Sequence, residues 1–334
     1  MNRITSIIFL ILWGLSTLDA GSFRNTGSAG ANFLQIPVEA RGAALGNSYV
    51  AMARGVEGLY WNQAALSLIE NTELIFSHAN WLADTRLLYF GVAHPVSKIG
   101  AFGLAVTSFQ MDKMDITTEY QPTGTGEQFG AGDLAINLSY SRALTDRFSF
   151  GITAKYVYEY IWELNTSSMA FDFASLYRTD FHNLRIGMII ANFGGNLKMG
   201  GDEIDEKLAT ELADTSQANN PRKERLSEEY SLPQIFRVGI AFDPWRDETH
   251  RFTTSISADD PNDNRSRIGL GAEYAFMESY MLRGGYKINY DEDSFTLGAG
   301  AILKVMSTTS RLDYAFSQFG DLGSAHTLSF TFIF

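Results

Sequence analysis

The groupings with which this chain of 334 residues could do chemistry are its histidines, its oxygen-rich turns and its glycine runs. The five histidines, His78, His94, His182, His250 and His326, never stand three or four apart, so no metal site is expected from them. Cysteine is absent, which removes thiolate ligands, a thiol nucleophile and disulfides together. DDPNDN at 259–264 has the oxygen content of a calcium loop, but no glutamate follows at the spacing of such loops, and it reads as a solvated turn. GAGAIL at 298–303 is glycine on a strand, which suits close packing against a neighbour better than a phosphate cradle. No G-x-S-x-G, H-E-x-x-H or P-loop occurs, so neither an enzyme nor a cofactor is expected. What is left is charge in unusual places. Asp133, Lys155, Glu159, Asp172, Arg178, Arg237, Glu273, Arg283, Lys287, Arg311 and Asp313 all interrupt otherwise apolar segments at alternating positions.

Alternation defines the elements that carry these charges, because successive strand residues point to opposite faces. HTLSFTFIF at 326–334 sets Leu328, Phe330, Phe332 and Phe334 against Thr327, Ser329 and Thr331. Similar runs lie near 71–79, 86–94, 100–110, 132–142, 147–160, 167–179, 184–192, 235–243, 250–258, 266–276, 279–288, 294–304, 309–317 and 326–334, fourteen in all. Many have the ~9–11 residues that a tilted strand needs to cross a bilayer. Aromatics close the apolar faces, as Tyr156, Tyr158, Tyr160 and Trp162 do. Connection length sorts by parity: 111–131 and 193–234 are long and odd-numbered, whereas PVSKI, ALTD, DFHN, PWRDET and MES are short and even-numbered. A soluble sandwich has no reason to do this. An outer-membrane barrel does, since its periplasmic turns are short and its external loops long. The fold class predicted is therefore all-β, a fourteen-stranded antiparallel transmembrane barrel at 71–334, in the bacterial outer membrane.

The ends of the chain fit that address. Arg3 followed by an apolar run from Ile4 to Leu18 resembles a secretory signal over 1–20, cleaved near Ala20, although Leu18 is a poor match to the usual cleavage site. The formal charge of −12 opposes nucleic-acid binding. Outer-membrane lipid is an expected partner, and Phe330, Phe332 and Phe334 are expected to form the terminal signal read by the barrel-insertion machinery. Hairpin geometry sets Lys155 opposite Asp172 and Glu273 opposite Arg283 on the lumen face.

Fourteen strands enclose more space than wall side chains can fill. Residues 21–70 are the natural filling. RGAALGNSYVAMARGVEGLYWNQAAL at 41–66 is rich in Gly and Ala, and Arg41, Arg54 and Glu57 exclude it as a membrane helix while giving charged walls their partners. The longest connection carries DEIDEKLATELAD, whose Ile204, Leu208 and Leu212 predict a short helix with one apolar stripe, followed by a charged arm after Pro221. It is expected to cap the outer mouth and to form a docking surface.

SAGANFLQIPVEARGAALGNSYVAMARGVEGLYWNQAAL at 28–66 resembles the N-terminal signature of the PorV/PorQ family, within the wider FadL-like superfamily. The resemblance implies a fourteen-stranded barrel plugged by an N-terminal hatch. Tyr60, Trp61, Asn62, Ala64, Ala65 and Leu66 match its hatch motif, and Gln63 stands where the family has proline; Arg54 and Gly55 replace an acidic pair. It implies a barrel that handles exported cargo proteins in type IX-like secretion. The FadL side of the superfamily implies instead passive entry of a hydrophobic ligand, through an apolar pocket leading to a lateral opening.

Overall fold

The computed structural model describes residues 26–200, 228–305 and 308–334. The expected signal segment, the helix over 202–214 and the start of the arm after Pro221 lie outside the described residues. Fourteen strands form one closed antiparallel barrel: β1 (Glu73–Asn80), β2 (Arg86–Val96), β3 (Gly100–Gln110), β4 (Ala131–Ala143), β5 (Phe148–Ile161), β6 (Leu164–Arg178), β7 (Arg185–Gly194), β8 (Ile235–Arg246), β9 (His250–Pro261), β10 (Arg267–Phe276), β11 (Tyr280–Ile288), β12 (Phe295–Val305), β13 (Thr308–Gln318) and β14 (Ser324–Ile333). Pairing of β1 with β14 closes the sheet, so every barrel strand has two neighbours and no edge faces lipid. No described helix is long and apolar enough to cross a membrane. The strands are what crosses.

Alternation becomes an inside and an outside. On β14 Leu328 and Phe330 are exposed on the outer surface, whereas Thr327, Ser329 and Thr331 are buried. Phe76, Leu138, Phe173, Leu282 and Leu297 extend the outer apolar face around the barrel. Phe332 lies on the same phase, and Phe334 is tied down by its N–H, which donates to the Thr72 carbonyl at 3.1 Å. The protein is an outer-membrane β-barrel, its short-turn end periplasmic and its long-loop end external.

Three sequence expectations need correction. The fifth connection shrinks to Trp162 and Glu163, with Trp162 at φ 54°, because alternation carries β5 and β6 past the apolar runs. The tighter turn places Lys155 opposite Ala170 and Asp172 opposite Thr153. Since the shift is by two, both side chains keep the lumen phase, and the ion pair forms diagonally at 2.8 Å. Thirdly, DDPNDN is not simply a turn. Strand β9 continues through Asp259, which is buried and pairs with Arg237 across the lumen face at 3.0 Å. Glu273 does face Arg283 directly.

Residues 29–69 lie inside this wall. They enter at the external end, where the Gly27 N–H donates to the Asp263 carbonyl at 3.1 Å. A short helix, Ala40–Ala44, sits midway: its Ala40 N–H donates to Ser329 Oγ at 2.8 Å, and Thr296 Oγ1 donates to the Ala44 carbonyl at 2.9 Å. The segment ends at the periplasmic side, where Ser67 Oγ donates to Ser149 Oγ at 2.8 Å. Between these ends Leu45, Tyr49, Val50, Met52 and Trp61 pack with inward Leu176, Ile189 and Ile235. Such close approach requires wall positions without side chains. A Cβ at Gly187 would strike the Val50 carbonyl, and one at Gly285 the Gly46 nitrogen.

Gly187→Val is therefore expected to loosen the segment at a cost of about 1–3 kcal/mol, the usual penalty for overpacking. The variant should keep heat-modifiable migration but show raised ion conductance in planar bilayers. Unaltered conductance would contradict the packing account.

Candidate functional site

The 60–64 motif anchors the inner segment to three parts of the wall. Tyr60 and Trp61 end the short helix Gly58–Trp61, and Asn62, in an extended conformation, caps the following turn by accepting from the Ala64 N–H at 3.1 Å. The Asn62 amide also donates to the carbonyls of Val50 at 2.9 Å and Ser175 at 3.0 Å. Trp61 Nε1 donates to Glu39 at 2.8 Å, its ring meets Tyr49 edge-on, and the Arg237 guanidinium lies 5.0 Å from it. Ala64 accepts through its carbonyl from Ser141 Oγ at 3.1 Å. Gln63 does what a proline could not: its Nε2 donates to Asp172 Oδ2 at 3.1 Å.

That bond joins the motif to the lumen pair. Asp172 lies at a β-bulge, where Phe171 pairs with Phe193 but Phe173 with Ile190, so two residues of β7 oppose one of β6. Asn192, at φ 60° in the bulge, donates its N–H to Asp172 Oδ1 at 2.8 Å and accepts from Lys155 Nζ at 2.8 Å. Asp172 thus draws Gln63, Asn192 and Lys155 together where the wall is irregular.

The second lumen pair belongs to a larger network. Glu273, fully buried, accepts from Arg41 of the inner segment through Nε at 2.9 Å and Nη2 at 3.0 Å, from Arg283 at 2.8 Å and from Arg251 at 3.0 Å. Arg283 reaches on to Asp313 at 2.6 Å, Arg311 bridges Asp313 and Glu57, and Glu57 also accepts from Tyr49. Glu39 caps the Ala40–Ala44 helix by accepting from the N–H groups of Arg41 and Gly42 at 2.7 and 2.6 Å. Arg54, exposed at the periplasmic mouth, takes no part in the salt bridges described.

Above the inner segment a cavity of about 270 Å³ opens among the external loops. Gln35, Ile36, Pro37 and Asn47 contribute from below, the Arg237–Asp259 pair from the wall, and Trp81, Tyr290 and Phe319 from three separate loops. Arg267 donates to Gln35 Oε1 at 2.7 Å and lies 5.1 Å from the Tyr290 ring. Lys287, paired with Asp293, lies 5.3 Å from the same ring. Sequence reading flagged Arg237 and Lys287 as lumen charges but missed the aromatics, which come together only on folding; NYDED after an inward lysine was the available signal. The two apolar hollows, of about 360 and 510 Å³, lie on the lipid face instead. Each neighbouring pair of strands stays paired, and β3 is paired along its length on both sides, so the described wall shows no lateral opening. Among the described residues no His, Cys, Asp and Glu group could hold a metal ion.

No family model matches the chain, and no curated protein does. Solved structures match in fold. A Pseudomonas aeruginosa FadL homologue superposes with a TM-score of 0.54 at 11% identity, over 89% of this chain and 98% of that one. The Pseudomonas putida toluene transporter TodX gives 0.56 at 10%, over 87% and 96%, and the Ralstonia pickettii toluene transporter TbuX gives 0.52 at 12%, over 89% and 96%. At such identities the likeness is one of fold, that of the FadL-like outer-membrane barrels. None of these matches carries the PorV/PorQ resemblance.

Removing one partner of a buried charge network leaves the others uncompensated. Glu273→Gln should destabilise the barrel by about 3–5 kcal/mol, as breaking a buried pair does. Denaturant titration followed by heat-modifiable migration measures this, and a change within experimental error would mean that Arg41, Arg251 and Arg283 do not depend on Glu273.

Proposed function

We propose that this barrel admits small hydrophobic molecules passively across the outer membrane, with residues 21–70 acting as a hatch that must shift for passage. The observation that carries the reading is the outward-opening cavity floored by that segment: a molecule entering from outside meets Ile36, Pro37, Trp81, Phe319 and Leu322 set among charged side chains, and the base is the part of the lumen not built into the wall. The FadL-like fold supports it, two of the neighbours being described as toluene transporters. With the wall paired all round, the route from the cavity leads past the hatch. The handling of exported proteins rests on the 28–66 motif alone. In that motif Trp61, Asn62, Gln63 and Ala64 are buried against the wall, where a protein cargo would not touch them.

Deleting 21–70 should leave a barrel that inserts but conducts ions, and cells carrying the intact protein should take up labelled toluene at low concentration several-fold faster than cells without it. Equal uptake by both kinds of cell would remove hydrophobic transport. Unchanged conductance of the deletion would make residues 21–70 an appendage rather than a hatch.

A further inference from the structure

The outer surface changes character near the external ends of β1 to β5. In-register pairing lines up the outward residues in rows, and one row runs through Phe76, Phe90, Val106, Ile136 and Tyr156, a surface for acyl chains. Further along the same strands, on the same outward phase, the row reads Asn80, Arg86, Gln110, Gly132 and Tyr160. This step from apolar to polar marks the outer boundary of the hydrocarbon layer, with Tyr160 and Trp162 where amphipathic rings collect.

A cleft of about 410 Å³ opens at that boundary, bordered by Gln128 and Phe129 of the 111–131 loop and by the Trp162 turn, whose N–H donates to the Gly130 carbonyl at 2.9 Å. Its one lining carboxylate, Asp112, is answered by Arg86. Asp115 nearby accepts from Gln128 Nε2 at 2.9 Å. Lys113 makes no salt bridge or hydrogen bond among the described residues, and the Tyr160 hydroxyl and the Trp162 indole N–H make none either. Lysine and the indole can only donate. The cleft therefore offers unengaged donors and one unanswered positive charge, which suits a group that only accepts and is itself negative. A phosphate oxygen is such a group. A cationic head would instead face Arg86 and Lys113 with Asp112 alone to balance them.

Position separates a lipid from a free anion. The cleft lies on the lipid-facing phase, and below it Leu88, Ile136 and Leu138 are exposed on the same strands. Acyl chains esterified to the phosphate would gain apolar contact there that a free anion lacks. We propose that the cleft binds the anionic phosphate headgroup of an outer-leaflet lipid through Lys113 and Arg86, with Tyr160 and Trp162 beside it and the acyl chains on the apolar rows. The proposal does not depend on the transport reading.

Native mass spectrometry of the full chain, released from detergent micelles holding equimolar phosphatidylglycerol and phosphatidylcholine, tests it by counting the lipid retained. Phosphatidylglycerol should be retained about fivefold over phosphatidylcholine, the value of one cation near an anionic headgroup. The preference should fall to near one in Lys113→Met and weaken in Arg86→Met, with heat-modifiable migration confirming a folded barrel. Lys98→Met, in the periplasmic turn, should keep the wild-type preference. Equal retention of the two lipids overturns the proposal, as does a preference that survives Lys113→Met or is lost equally in Lys98→Met. Inorganic phosphate equimolar with phosphatidylglycerol should not displace it; displacement would make the cleft a site for free anions and overturn the assignment to lipid.

Discussion

A carboxylate buried in the middle of a membrane-embedded barrel must have its charge answered on the spot, because a lone ion there costs several kcal/mol. Glu273 is such a group, and its partners come from both sides of the lumen boundary: Arg251 and Arg283 from neighbouring strands, Arg41 from the inner segment. Neither the wall nor the hatch is complete alone. The network through Arg283, Asp313, Arg311 and Glu57 extends the same dependence to the periplasmic half of the hatch. The glycines of the wall then make sense as clearance, since side chains at Gly187 or Gly285 would hold the hatch away from its partners.

Residues 29–69 are held to the wall both by these ion pairs and by apolar packing, such as that of Leu45, Tyr49, Val50 and Met52 on Leu176 and Ile189. Ion pairs and hydrogen bonds can be exchanged for water if water enters, whereas the apolar contacts cannot. The Gln63–Asp172–Asn192–Lys155 group repeats the principle at the bulge between β6 and β7, where the ladder itself is interrupted. The external cavity stands over this arrangement, touching it through Asn47 and through the Arg237–Trp61 contact. The lining of the cavity and the anchoring of the inner segment therefore share residues.

Much of this was legible in the sequence because membrane strands alternate strictly and because loop length sorts by side. Glu273 and Arg283 could be paired in advance because MES leaves almost no freedom in the turn between them. Lys155 and Asp172 were placed on the right face but two residues out of register, since the turn tightened around Trp162 and Glu163 as alternation ran on. Asp259 was read as loop because DDPNDN looks like a turn, yet its inward phase and Arg237 draw it into the strand. The external cavity was not legible. Trp81, Tyr290 and Phe319 lie in three connections far apart in the chain, and no local pattern announces that closure of the barrel brings them together.

The central claim is that passage requires the hatch to leave the wall. The chain has no cysteine, so a single introduced pair can test it without interference. Ala43 and Ala315 pack in one cluster, joining the Ala40–Ala44 helix to β13. With Ala43→Cys and Ala315→Cys together, oxidation should fix the hatch to the wall, given disulfide geometry at that contact. The account predicts that labelled toluene uptake falls to the level of cells lacking the protein when the disulfide forms, and recovers on reduction. Uptake that is the same in the oxidised and reduced states, with the disulfide confirmed by mass spectrometry, would contradict it.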